Sequence, residues 1–210
     1  MHFLARGVYD LSGKHLYDLP SSGQKLVDAD RALGHPRQAV LLTGTNATEA
    51  EFESEPLSNF KIIHFAVRGF ARPDFPERSA LVLGRDPRSH KNGLLEVRDI
   101  ARLSLAADLV TLSSCDTGIG KPEGEEGIAG LVPAFLFAGA RSVVGSLWEA
   151  DDSATGIQMK QFYTQLAQGE EKAAALRQAK LDYLQMLGHR PPIFWAGFVL
   201  VGDGSASIRF

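Results

Sequence analysis

The sequence predicts a three-layer α/β/α fold with a mostly parallel central sheet. Apolar segments of strand length alternate along the chain with segments of helical periodicity. The strand-like segments are almost continuously apolar, which is typical of strands that are buried on both faces of a parallel sheet. The 210 residues contain no linker-like stretch that would divide them. We therefore expect a single domain over residues 1–210.

The composition is that of a soluble globular domain. Hydrophobic residues make up 44% and charged residues 22%, as in ordinary globular domains. The net charge of −3 gives no electrostatic reason to expect a nucleic acid or an anionic membrane as a partner. One cysteine, Cys115, excludes an intramolecular disulfide and suits a reducing compartment. The longest apolar run, residues 131–140, is half a membrane span and contains Pro133. We expect a soluble, cytoplasmic protein.

The first half of the chain predicts short strands and short helices in alternation. In order, they are a hairpin over 3–20 that turns at Ser12-Gly13, a helix over 21–34 capped by Ser21 or Ser22, a doubly buried strand at 37–44, a helix at 45–54 capped by Thr45 or Asn46, a buried strand at 60–67, a long loop at 68–93 with a short strand at 80–84, a helix at 96–103 and a strand at 108–114.

The second half is equally regular. The predicted elements are a helix with the apolar stripe Ile128, Leu131, Val132, Phe135 and Leu136, a strand at 141–148, a helix that opens near Asp152 and carries Met159, Phe162, Tyr163 and Leu166, a helix that carries Leu176, Ala179, Tyr183 and Leu187, and a closing strand at 192–202.

Three predicted strands end in residues that can carry chemistry. Arg68-Gly69 follows the strand at 60–67, Cys115-Asp116 follows the strand at 108–114, and the acidic segment 149–152 follows the strand at 141–148. Ligands bind beyond the carboxyl ends of the strands in parallel sheets. We expect these three ends to be neighbours.

Several segments resemble the CHAT domain, the caspase-like module of the separase-related cysteine peptidases. The resemblance covers residues 19–203 and implies a caspase-like fold. The family usually carries chain upstream, often helical repeats, so the sequence is either a fragment with a truncated N-terminal part or a small stand-alone version. The similar segments, in the family's order, are LPSS, VLLTGTNATEAEF, IIHFAVRGF, LVTLSSCDTG, GEEGIAGLVPAFLFAGARSVVGSLWEADDSAT, QFYTQLAQGEEKAAALRQA and FWAGFVLVGD.

The resemblance implies roles for individual residues. Cys115 matches the nucleophile that attacks a peptide carbonyl, and the backbone N–H groups of Gly69 and Cys115 match the oxyanion hole. Asp152 matches the acid that selects a basic side chain before the cleaved bond, and Asp116 is expected to line the same substrate site. The implied partner is a peptide or protein, either a substrate or a regulator, and a helical-repeat region or protein is a further candidate.

One position departs from the family. The general base of the family lies in a His-Gly pair, whereas this chain has Arg68-Gly69. An arginine keeps its proton at neutral pH and therefore cannot act as a base. His64 lies four residues earlier, about 13 Å back along an extended strand, and is expected to be a core histidine. His90, in the long loop, is the one other histidine that we retain as a stand-in base.

Two functions stay open, and a third is weaker. The chain is either a cysteine endopeptidase, impaired by Arg68, that cleaves after Arg or Lys, or an inactive pseudo-peptidase with a binding or regulatory role. Residues 117–127 resemble a nucleotide cradle weakly, but three glutamates oppose a pyrophosphate there. We expect no cofactor and no metal. The simpler structural roles are a buried thiol for Cys115, a surface ion pair for Arg68 and a helix cap for Asp152.

Overall fold

A central sheet with helices on both faces forms the framework of the computed structural model. The model describes residues 2–5, 9–11, 14–16, 22–34, 39–70, 72, 74–113, 130–148, 150–188 and 190–209. The strands are β1 (His2–Ala5), β2 (Tyr9–Leu11), β3 (Lys14–Leu16), β4 (Val40–Thr43), β5 (Ile62–Ala66), β6 (Gly69–Phe70), β7 (Ala80–Val82), β8 (Leu94–Glu96), β9 (Leu109–Leu112), β10 (Ser142–Ser146) and β11 (Phe198–Gly202). The helices are α1 (Ser22–Ala32), α2 (Glu49–Ser54), α3 (Val97–Ile100), α4 (Leu131–Phe137), α5 (Asp152–Ala167) and α6 (Lys172–Leu187).

The central sheet has six strands in the order β4-β1-β5-β9-β10-β11. Neighbouring strands run parallel, except that β11 is antiparallel to β10. Helices α2, α3 and α4 contribute to the apolar cluster on one face, and α1, α5 and α6 contribute to the cluster on the other. The predicted three-layer α/β/α fold with a mostly parallel sheet is therefore confirmed.

Strand β5 shows why continuous apolar runs predict this architecture. Its side chains alternate between the two faces, as the pleat requires. Ile63 and Phe65 lie in the cluster beneath α2–α4, whereas Ile62 and Ala66 lie in the cluster beneath α1, α5 and α6. Both sets are buried, so neither face of the strand tolerates a run of polar residues.

The N-terminal segment is partly different from the prediction. Strands β2 and β3 form the expected antiparallel hairpin, with Leu11 opposite Lys14, which fits a two-residue connection. Ser12 and Gly13 themselves lie outside the described residues. The prediction missed β1, which is parallel to both β4 and β5 and lies between them.

Two further predictions in the first half were wrong. The strand at 37–44 is not buried on both faces, because β4 is an edge strand and Leu41 is 40% exposed. The cap of α2 is neither Thr45 nor Asn46. Residues 44–46 form a 3-10 turn, and the side chain of Thr48 accepts a hydrogen bond from the N–H of Glu51.

The segment 68–93 is more ordered than the predicted loop. Strands β6, β7 and β8 form a second, antiparallel three-stranded sheet. In the second half, Leu187 at the end of α6 is exposed instead of buried, and residues 192–194 form a 3-10 turn ahead of β11. Within the part of the chain that the structure describes, every helix is too short or too polar to span a membrane.

Candidate active site

The candidate site lies where β5 and β9 end beside each other. The N–H of Ser113 donates to the carbonyl of Phe65 at 3.0 Å and so holds the end of β9 against β5. Strand β10 is parallel to β9 on its other side, and residues 147–152 lead from its end into α5. Two of the three expected strand ends are thus described at one edge of the sheet. Cys115 and Asp116 lie in 114–129, outside the described residues.

Arg68 and Gly69 link β5 to the small antiparallel sheet. The carbonyl of Arg68 accepts a hydrogen bond from the N–H of Val82 at 2.8 Å, and Gly69 is opposite Leu81. In this register Gly69 belongs to a non-hydrogen-bonded pair, so its own N–H points away from β7. The Arg68 residue is half-buried and Gly69 is buried. The fold therefore fixes the Gly69 N–H on the opposite side of β6 from its ladder partner.

The acidic residues after β10 open helix α5. Asp151 is the N-cap, and its carboxylate accepts a hydrogen bond from the N–H of Ala154 at 2.8 Å. Asp152 is the first residue of the helix, so the alternative in which Asp152 caps the helix was wrong. Because Asp151 supplies the cap, the carboxylate of Asp152 can engage a different group.

That group is Lys25 of α1. Its Nζ contacts Oδ1 of Asp152 in an ion pair, and the Lys25 side chain is 1% exposed against 20% for Asp152. Sequence reasoning missed this lysine. The available signal was its position four residues before Ala29 on α1, next to the buried Leu26, which places a cation at the edge of the helix's apolar stripe.

His64 is a core histidine, as expected. Its Nε2 lies 2.6 Å from the hydroxyl oxygen of Ser113, and its ring stacks on Tyr163 with 5.4 Å between centroids. The Tyr163 hydroxyl donates to Oγ1 of Thr111 at 3.0 Å. Burial, with a smaller contribution from the charge of Lys25, lowers the pKa of His64 to about 3. The imidazole is therefore neutral at pH 7 and is a poor proton acceptor.

The loop that carries His90 is fastened to α2. His90 is exposed. Its neighbour Lys91 pairs with Glu49 at 3.2 Å, and the N–H of Gly93 donates to Oε2 of Glu49 at 3.1 Å. Burial raises the pKa of Glu49, against the opposing effect of Lys91. The described residues hold no group of three or more His, Cys, Asp or Glu side chains that could bind a metal ion.

Comparison with known families identifies the chain. Residues 9–203 match the CHAT domain family. The chain belongs to the CHAT domain family. The match includes both strand ends described above, and it also includes residues 114–129, with Cys115 and Asp116.

The chain is also similar to two curated proteins and to two solved structures. Tetratricopeptide repeat protein 28 of mouse is 34% identical over 110 residues and that of human is 35% identical. The match spans 52% of this chain but 4% of each relative. The Arg-specific cysteine proteinase gingipain R has a TM-score of 0.65 at 8% identity and covers 99% of this chain and 47% of its own. A complex of pro- and mature domains from Porphyromonas gingivalis has a TM-score of 0.63 at 9% sequence identity, and the match covers 99% of this chain and 48% of that chain. These structures establish a caspase-like fold for this CHAT domain.

Proposed function

We propose that this CHAT domain is a peptide-recognising module of the cysteine peptidase lineage in which Arg68 impairs hydrolysis. The single observation that carries the proposal is the position of Arg68, at the end of β5 where β9 runs alongside. A group at this edge would face a reacting peptide, but a guanidinium does not release its proton near neutral pH.

The nucleophile in this proposal is Cys115. It follows Ser113, the last described residue of its segment, by two residues, and two residues span at most about 7 Å. The proposal therefore assigns the nucleophile to the segment that follows β9 in the sequence. The N–H of Gly69, directed away from β7, supports the proposed role of Gly69 in an oxyanion hole, where a donor must point at the developing charge.

Two proton transfers limit the reaction. Attack of the Cys115 sulfur on the peptide carbonyl forms a carbon–sulfur bond after the thiol has lost its proton, and the departing amine must then gain a proton. The positive charge of Arg68 favours a nearby thiolate, but it supplies no base and no exchangeable acid. His64 does not replace the missing base, because it is buried and neutral. Loss of general acid–base catalysis costs about 10²- to 10⁴-fold in rate.

The substrate-side residues of the proposal are Asp152 and Asp116. We assign Asp152 to a basic side chain of the bound peptide, since a carboxylate at this edge is matched by a guanidinium or an ammonium group. The gingipain R neighbour is named as Arg-specific, which agrees with this assignment without establishing it.

Arg68→His is the direct experiment. We expect cleavage of peptides that contain a single Arg or Lys to be very slow in the unmodified chain, to rise about 10²- to 10⁴-fold in Arg68→His, and to disappear in Arg68→His with Cys115→Ala. Arg102→His, a surface arginine with 80% of its side chain exposed, is the matched control and should leave the rate unchanged. Cleavage by the unmodified chain that depends on Cys115 and equals that of Arg68→His would contradict the proposal.

A second candidate function is binding without hydrolysis. The curated relatives are named for tetratricopeptide repeats, which favours a helical-repeat protein or region as the partner of this domain. If Arg68→His folds, binds peptide and still produces no turnover, the regulatory function is the better description.

A further inference from the structure

The Asp152 carboxylate, to which the proposed function assigns a basic peptide side chain, already holds an internal cation. The Nζ of Lys25 contacts Oδ1 of Asp152, and the Lys25 side chain is almost completely shielded from water. An ammonium group that loses its water in this way needs a carboxylate partner. Lys25 therefore has the chemistry and the location of the substrate group that Asp152 is expected to bind.

The Lys25 ammonium acts electrostatically on strand β5 as well as on Asp152. The charge of Lys25 contributes to the lowered pKa of His64, which projects from β5. His64 is neutral at pH 7 and offers Lys25 no negative charge. The ammonium thus lies within electrostatic range of the strand that leads to Arg68, next to the carboxylate at the start of α5.

The fold also provides a place for Lys25 when it leaves Asp152. A Cβ at Gly156 would lie 3.7 Å from Cγ of Lys25, so α5 passes at van der Waals distance from the aliphatic stem of Lys25. An open groove of about 370 Å³ runs between α1 and α5 beside Lys25 and is lined in part by Asp28. Asp28 is three residues after Lys25 on α1, within reach of the same side chain.

We propose that Lys25 is the specificity-determining residue of the Asp152 subsite. Resting on the proposed function, the inference is that Lys25 occupies Asp152 in place of a substrate's Arg or Lys, so that the unmodified chain does not select basic side chains. A basic group binds only when Lys25 is displaced into the groove towards Asp28 or is replaced.

The test is binding of a capped arginine, N-acetyl-arginine methylamide, measured by calorimetry with the equivalent capped citrulline as the neutral control. We expect Lys25→Gln to bind the arginine compound about tenfold more tightly than the unmodified chain, with no change for citrulline. The gain should be lost in Lys25→Gln with Asp152→Asn. Lys160→Gln, which removes another lysine of the same groove, should bind as the unmodified chain does.

Folding is controlled separately. Asp152 is 20% exposed, so water can reach its carboxylate once Lys25 is gone. Lys25→Ala is the second variant, because its smaller side chain admits more water to the Asp152 carboxylate. Circular dichroism verifies that Lys25→Gln and Lys25→Ala both fold. The unmodified chain provides a test that needs neither variant to fold. If it binds capped arginine saturably and more tightly than capped citrulline, and Asp152→Asn abolishes that preference, the inference is overturned.

Failure of this inference is distinguishable from failure of the proposed function. Binding of capped arginine does not require hydrolysis, so an Arg68→His variant without turnover contradicts the proposed function alone. If Arg68→His cleaves after Arg equally well with Lys25 in place and with Lys25→Gln, the proposed function stands and the role of Lys25 is refuted.

Discussion

Acidification should unfold this protein partly through His64. The ring is fully buried between the sheet and α5, and its pKa is about 3 in the folded state against 6.5 for an unperturbed histidine. The unfolded chain therefore takes up the proton more readily than the folded chain. The neutral ring contributes its full stability above pH 6.5, and this contribution is lost as the pH falls towards 3.

The magnitude follows from the difference in pKa. One pKa unit corresponds to about 1.4 kcal/mol. Integrating between the two pKa values gives a loss of about 2 kcal/mol on going from pH 7 to pH 5, and about 4 kcal/mol by pH 3. A domain of this size has a total stability of about 5–15 kcal/mol. The loss of about 2 kcal/mol between pH 7 and pH 5 is therefore large enough to measure.

The assay is urea unfolding at pH 7, 6 and 5, followed by the fluorescence of Trp148 and Trp195. His64→Gln removes the titrating ring but keeps a group that can hydrogen-bond to the Ser113 hydroxyl. We expect its free energy of unfolding to fall by about 2 kcal/mol less than that of the unmodified chain between pH 7 and pH 5. His90→Gln, at an exposed histidine, should retain the original pH dependence. Equal pH dependence in His64→Gln and the unmodified chain would refute the argument.

Two further predictions concern stability. Phe65→Ala should lower the free energy of unfolding by about 3–5 kcal/mol, because Phe65 is fully buried and packs edge-on against Phe52 at 5.2 Å. Phe75→Ala, at a side chain that is 52% exposed, is its control, and similar losses in urea unfolding for the two variants would be evidence against the described core. Asp151→Ala should cost about 1 kcal/mol, since its carboxylate caps α5 through the N–H of Ala154. A thermal midpoint that does not change in Asp151→Ala would show that the cap contributes nothing.

The sequence predicted those elements of the fold whose burial is a local property. The residues of β5 and β10 are all buried, so their apolar runs were sufficient evidence. Strand β4 carries a similar run, but it ends the sheet, and edge position is decided by the order of strands, which no run of residues specifies. Strand β1 was missed because its neighbours are distant in sequence, whereas the hairpin next to it has a recognisable turn.

The same distinction applies to the candidate site. Arg68 was singled out because it directly precedes Gly69, at the position where the family's His-Gly pair has its histidine. Lys25 was not found, because its partner Asp152 is 127 positions away and no spacing rule connects them. A lysine in a helix normally lies in solvent with its charge exposed, so the sequence alone favours a surface role for Lys25.

The position of β1 has a consequence for how the central sheet assembles during folding. Residues 2–5 pair with residues 40–43 on one side and with residues 63–66 on the other, so β1 meets its neighbours only when loops of about 35 and about 58 residues close. Closing so long a loop carries an entropic cost before any contact compensates for it. The sheet therefore cannot grow by adding each strand to the one before it. Both neighbours of β1 in the sheet lie later in the sequence than β1 itself, and a change in residues 2–5 should slow assembly of the whole sheet.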